Sequence, residues 1–176
     1  MQLHSTPLIT AEQIRRRIAE LAEAISRDYA GRELVLMVVL KGGIIFAADL
    51  MRALTVPVTV EVIRARSYEG TRSSGRVEFT CLPEQSVAEK HVLIIEDIID
   101  TGRTASVIVE RLQSEHPAGL AVCTLLDKPS RREVPIALAY AGFTIEDHFV
   151  VGYGLDYEQH GRELPGIYFL EGEPSA

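Results

Sequence analysis

The sequence predicts an α/β protein built on a central parallel sheet flanked by helices, on three observations. Two short apolar runs, residues 34–40 and 92–95, read as strands buried on both faces. Each is followed by a glycine-bearing turn and then by apolar residues at helical spacing, the alternation that makes a parallel sheet. The last third carries several short strand-like runs, which read as a smaller strand-rich subdomain.

Thr10 and Gln13 form a capping-box pattern ahead of Ile14, Ile18, Leu21, Ala22 and Ile25, which recur on one face. A helix therefore opens the chain and ends before Gly31. Residues 34–40 form a central strand, and Lys41, Gly42 and Gly43 turn it into residues 44–54. There the only charges are Asp49 and Arg52, so the stretch reads as a well-buried helix, stopped before Pro57. Residues 58–66 alternate, with Val58, Val60, Val62 and Ala65 marking a drier face, and pair with a strand at 76–80. Between them residues 67–75, SYEGTRSSG, offer only the ring of Tyr68 as an apolar anchor and read as a mobile loop. Strand 92–95 leads to a helix from Thr104 with Ala105, Ile108, Val109 and Leu112 on one face. Further strands at 120–126, 136–139, 149–151 and 167–170 bring the expected number to about eight.

The chain has 176 residues, 47% apolar and 24% charged, which fits one domain with a core that needs neither disulfides nor a structural metal. Its 18 basic and 25 acidic residues leave a net charge of −7, which argues against charge-driven attraction to nucleic acid or anionic membrane. Cys81 and Cys123 form no CxxC pair and have no histidine at ligand spacing, so both read as reduced core thiols. The longest purely apolar run, 34–40, falls far short of the roughly 18 residues a bilayer span needs. With no signal-peptide core after Met1, the expectation is a cytoplasmic protein without a transmembrane segment.

The most informative stretch is VLIIEDIIDTGRTA, residues 92–105, in which a buried strand gives way to Glu96, Asp97 and Asp100 and then to a Thr101–Gly102–Arg103–Thr104 turn. Ligands of open parallel sheets bind beyond the carboxyl ends of strands, where unpaired N–H groups of the next helix attract anions. Gly102 lets the backbone close around a phosphate, and Thr101 and Thr104 add hydroxyls. The GxxxxGK[ST] pattern of nucleoside triphosphate sites is missing. Adjacent carboxylates before such a loop suit the two hydroxyls of a ribose. By themselves, the acidic residues also read as a solvated strand end and helix cap.

IIEDIIDTGRTA resembles the phosphoribosyl diphosphate motif of the type I phosphoribosyltransferases, specifically the hypoxanthine-guanine phosphoribosyltransferases. The resemblance continues through LKGG at 40–43, the SY-initiated loop at Ser67, DKPSRR from Asp127, and FVVGYGLDY followed by GREL near the C-terminal end. It implies the type I fold in one domain over residues 1–176, with a core at roughly 10–130, the C-terminal part of a base-binding hood at roughly 131–176, and a flexible lid loop. The implied activity is transfer of the 5-phosphoribosyl group of phosphoribosyl diphosphate to N9 of hypoxanthine or guanine, giving IMP or GMP and pyrophosphate in purine salvage. A magnesium cofactor and a homodimer or homotetramer come with it, and no nucleic-acid or membrane partner.

By this resemblance Lys41, Gly42 and Gly43 form a pyrophosphate loop whose Leu40–Lys41 peptide can be cis; seen alone, they are an ordinary glycine turn. Glu96, Asp97 and Asp156 serve magnesium. Thr101, Gly102, Arg103 and Thr104 serve the 5-phosphate, with Arg103 facing either phosphate or solvent. Asp100 takes the N7 proton as N9 attacks, or is a helix cap. Arg162 binds pyrophosphate oxygens, with Asp156 near their magnesium; in isolation both are surface residues. Lys128, a pure donor, reads the 6-oxo group and repels the adenine amino group. Phe149 stacks on the purine or is a core aromatic, and Val150 and Asp156 read the base edge. Ser67 and Tyr68 sit in the lid over pyrophosphate.

Two rivals share this fold. One is an RNA-binding attenuation regulator, which the acidic Asp100, the net charge and the small Arg131–Arg132 patch weigh against. The other is a xanthine-preferring phosphoribosyltransferase, which differs only around the 2-position of the base.

Overall fold

The computed structural model describes residues 3–67 and 77–170. Helix α1 (Ala11–Asp28) starts where expected: the Thr10 side chain accepts the Gln13 N–H, and the Gln13 side chain accepts the Thr10 N–H at 2.8 Å. Its buried face is the expected set Ile14, Ile18, Leu21, Ala22 and Ile25. Fully burying such side chains is worth about 1.5–3 kcal/mol each, which holds the helix on the sheet. Strand β1 (Leu34–Val39) is buried at every position and lies between two parallel neighbours, as a two-faced apolar run must.

Helix α2 (Gly43–Ala53) buries Phe46, Ala47 and Leu50 against β1 and β4 (His91–Ile99). It is less buried than its composition suggests, because its flank over β2 (Val58–Ser67) leaves Ile44 52% and Val60 48% exposed. Strand β3 (Val77–Cys81) runs antiparallel to β2. Helix α3 (Arg103–Gln113) buries Ala105, Ile108 and Leu112 on the opposite face of the sheet. Strands β5 (Gly119–Asp127) and β6 (Tyr140–Thr144) complete the order β3-β2-β1-β4-β5-β6, parallel except for β3. Strands β7 (Val150–Val151) and β8 (Tyr168–Phe169) pair antiparallel as a second small sheet.

Three further expectations change. The strand expected at 92–95 continues to Ile99, because Glu96, Ile98 and Ile99 stay in register with Thr124, Leu126 and Asp127 of β5. The strand expected at 136–139 forms as β6, four residues later. Ile136 and Leu138 instead pack, half-buried, against the α3-side core. Both thiols are free, but only Cys123 belongs to the core; Cys81 ends edge strand β3 and is half-buried.

The chain leaves β1 outward to β2 and returns to β4 on the other side of β1. The crevice at such a reversal opens between the C-terminal ends of the two central strands, where α/β sheets bind ligands. The Lys41–Gly43 turn and the Asp100–Thr104 loop both lie there.

Candidate active site

Successive strand side chains leave a sheet on opposite sides, so the two adjacent carboxylates start from different faces. Ile94 packs on the α3 side and Ile95 on the α1–α2 side, and Glu96 and Asp97 follow suit. Glu96 lines a cavity of about 140 Å³ with Ile98, Asp100, Thr101, Gly102 and Thr104. Asp97 faces the other loop, where a Cβ on Gly42 would lie 1.6 Å from its Oδ2. At the strand end the two carboxylates still meet, close enough for the Asp97 charge and a side-chain hydrogen bond to act on Glu96.

Among the described residues, two buried side-chain oxygens lack a hydrogen-bond partner, Glu96 Oε2 and Asp100 Oδ1, and both residues line this cavity. Burial pushes the Glu96 carboxyl well above the ordinary carboxylate range, and the Asp97 charge beside it adds to the effect. Asp97 is also raised by burial, against the pull of hydrogen bonds and of the Arg162 charge. Asp100 caps no helix, since the α3 N-cap is Gly102 and has no side-chain cap. The Arg103 N–H donates to Thr101 Oγ1 at 3.4 Å, and the next N–H groups of the first turn are left for an anion.

Gly102 has φ +83°, a left-handed conformation, and a Cβ there would come 2.4 Å from the Val134 carbonyl oxygen. Close packing under residues 132–134 thus also requires this glycine, besides any phosphate. Thr101 fixes that cover, its carbonyl accepting the N–H groups of Glu133 and Val134. Arg103 is turned aside: its guanidinium pairs with Glu133, and its side chain does not line the cavity.

Across the crevice the Leu40–Lys41 peptide is cis, as the resemblance allowed. Lys41 Nζ donates to Gln159 Oε1 at 2.9 Å, and the Gln159 N–H donates to Asp156 Oδ2 at 2.8 Å. Arg162 donates to the Gly154 carbonyl at 2.6 Å and pairs with Asp156 at 2.5 Å. Asp156 is therefore occupied within its own turn, and Glu96, Asp97 and Asp156 form no single ligand cluster; among the described residues no group of three metal-ligating side chains occurs. Ser67 ends β2, while Tyr68 and the rest of the expected loop lie outside the described residues.

On the base side Lys128 is 6% exposed, and its Nζ donates to the His148 carbonyl at 2.5 Å. Phe149 is 42% exposed and meets Tyr157 edge-on at 5.7 Å, so it is a surface aromatic and not a core one. Val150 is buried in β7. The sequence reading assigned no site role to Arg131, Arg132 or Asp147. Arg132 donates to the carbonyls of Asp100 and Ile99 and pairs with Asp127, bolting the loop after β4 to the end of β5. Arg131 lies between Asp100 and Asp147, whose charges hold it protonated. The legible signal was Pro129, which opens a 3-10 turn (Pro129–Arg131) right after Lys128.

A family model described as "Phosphoribosyl transferase domain" matches residues 7–158. The hypoxanthine-guanine phosphoribosyltransferase of Mycobacterium tuberculosis (strain ATCC 25618 / H37Rv) is 44% identical over 171 residues, covering 93% of this chain and 85% of that protein. The hypoxanthine phosphoribosyltransferase of Salmonella typhimurium is 46% identical over 163 residues, covering 91% and 92%. Among solved structures, the Trypanosoma cruzi hypoxanthine phosphoribosyltransferase in complex with the product IMP aligns with a TM-score of 0.89 at 43% identity, over 96% of this chain and 95% of that one. The motif resemblance is borne out along nearly the whole length, and the chain belongs to the phosphoribosyltransferase family.

Proposed function

We propose that the protein transfers the 5-phosphoribosyl group of phosphoribosyl diphosphate to N9 of hypoxanthine or guanine, forming IMP or GMP and releasing pyrophosphate. The observation that carries this reading is one cavity holding the unpartnered Glu96 Oε2 and the Asp100 carboxylate, whose Oδ1 has only the 3.4 Å ion pair with Arg131, beside the first turn of α3. Buried acceptors of this kind call for donors from a ligand. Ribose hydroxyls suit Glu96 and Asp97, the 5-phosphate suits the helix terminus with Thr101 and Thr104, and a purine N7–H suits Asp100.

N9 forms its bond to C1′ as the bond from C1′ to the pyrophosphate oxygen breaks, and the N7 proton passes to the Asp100 carboxylate. Lys128 donates to the 6-oxo group, Phe149 stacks on the ring, and the Val150 backbone, with Asp156 nearby, meets the base edge. Lys41, Gly42 and Arg162 receive the pyrophosphate. The donor set fits magnesium: Glu96 Oε2 is an unpartnered hard oxygen, and magnesium keeps most of its waters, needing one or two carboxylates at a time. Glu96 and Asp97 would hold an ion at the ribose and Asp156 one at the pyrophosphate, where its charge helps the leaving group depart.

Residues from roughly 131 onward contribute the base-binding hood of a single domain. Family membership further supports a homodimer or homotetramer and a cytoplasmic location. An RNA-binding regulator is not favoured, since Arg131 and Arg132 are taken up in internal ion pairs and leave no basic face around DKPSRR. Incubation with magnesium, phosphoribosyl diphosphate and each of hypoxanthine, guanine, xanthine, adenine and uracil tests the reading. Nucleotide forms from hypoxanthine or guanine but not from adenine or uracil. Formation from xanthine above both would favour the xanthine-preferring rival, and turnover of none would overturn the proposal.

A further inference from the structure

The reaction as proposed leaves Arg131 and Asp147 without a task, yet they stand between its two base-reading side chains. Arg131 Nε lies 3.4 Å from Asp100 Oδ1, Arg131 Nη1 lies 3.4 Å from Asp147 Oδ2, and Asp147 Oδ1 lies 3.8 Å from Lys128 Nζ. The four groups form a row of alternating charge: Asp100, Arg131, Asp147, Lys128. Local structure builds the row. Side chains three apart eclipse on a 3-10 turn, so the Pro129–Arg131 turn sets Lys128 and Arg131 on one side, with the Arg131 N–H donating to the Lys128 carbonyl at 3.2 Å. Asp147 enters between the two cations from the segment before β7, next to His148, whose carbonyl holds the lysine.

The chemistry to be served has the same dimensions. O6 and N7 of a 6-oxopurine are neighbours on one edge of the base. An ammonium on O6 and a carboxylate on N7 can act together only if the distance between them is fixed. We infer that Asp147 is a positioning residue that fixes it, holding Arg131 partly off Asp100 and Lys128 towards the base edge. This inference rests on the proposed oxopurine reaction. Without the Asp147 charge the guanidinium has one carboxylate left, closes on Asp100, and competes with N7–H for it. Lys128 loses its carboxylate neighbour at the same time and keeps only the His148 carbonyl.

Asp147→Asn, which keeps the shape and removes the charge, tests this in the full-length protein. The expected result is a fall in kcat/KM for hypoxanthine of about 10- to 100-fold, typical of a displaced catalytic group, with the Kd for phosphoribosyl diphosphate unchanged. Asp147→Glu restores part of the loss. Adding Arg131→Met to Asp147→Asn also restores part of it, because no guanidinium then closes on Asp100, and the two effects are not additive. A folded Asp147→Asn enzyme with wild-type kcat/KM overturns the inference and leaves the proposed reaction intact. So does an equal loss of phosphoribosyl diphosphate affinity, or a double variant whose losses simply add. Wild-type protein inactive on every oxopurine overturns the reaction itself and the inference with it.

Discussion

Gly154 packs directly onto Gly42: a Cβ on Gly154 would come 2.2 Å from the Gly42 carbonyl oxygen, and Gly154 itself has φ +104°. Gly42 in turn has no room for a Cβ because the Asp97 carboxylate fills that space. The end of β4, the turn before α2 and the Gly152–Asp156 turn are thus stacked through two glycines. Tyr153 fastens the stack by donating its hydroxyl to Asp49 of α2. Residues far apart in the chain reach one crevice through this contact.

Gly154→Ala should destabilise the protein by about 2–4 kcal/mol, from the left-handed backbone and the backbone clash together, and weaken phosphoribosyl diphosphate binding. Gly31→Ala is the control. Gly31 has φ +76° with nothing within 4 Å, so only the conformational cost of about 1 kcal/mol applies. Urea denaturation and calorimetric titration check both; equal losses for the two variants would remove the packing explanation.

The burial of Glu96 gives a pH dependence whose sign is fixed. Its folded pKa lies well above 4.5, so the folded state binds a proton that the unfolded chain releases. The contribution to stability is complete below 4.5 and is lost as pH rises from there through the raised value. The raised Asp97 acts in the same direction from 3.8 upward. In the ligand-free protein, Glu96→Gln should flatten the fall in Tm with rising pH. Parallel Tm profiles for variant and wild type would contradict it.

Much of this was legible because it is local. The Thr10–Gln13 capping box and the α1 stripe depend on neighbours in sequence, and both came out as read. The strand through Glu96–Ile99 was not, because two carboxylates look like a loop until pairing with β5 keeps them extended. Ile136 and Leu138 misled in the opposite way, since alternation marks a half-buried segment whether or not it joins a ladder. The motif residues Asp100, Lys128, Thr101 and Thr104 were found as candidates from the chain. The row that joins Asp100 to Lys128 was not, because it needs Asp147, brought in by tertiary structure alone.

Lys128→Ala should relax discrimination between hypoxanthine and adenine, since the buried ammonium is the donor assigned to the 6-position. The ratio of kcat/KM for the two bases measures it. An unchanged ratio would assign the 6-position to another group.

The two thiols should react very differently. Burial pushes Cys123 up to about 12, whereas Cys81 sits half-buried on an edge strand. A thiolate-selective reagent at pH 8 should label Cys81 in the native protein and reach Cys123 only after denaturation. Fast labelling of Cys123 in the folded state would show that the core over β5 opens readily.

The most direct test of the account is to separate chemistry from binding at Asp100. Asp100→Ala should lower kcat by about 10²–10⁴-fold, the usual contribution of a proton-transferring group, while the Kd for phosphoribosyl diphosphate stays within a few-fold of wild type. Arg162→Ala should do the reverse, weakening that binding more than it lowers turnover. Equal effects of Asp100→Ala on turnover and on phosphoribosyl diphosphate binding would mean that this carboxylate holds the sugar phosphate and not the proton of the base.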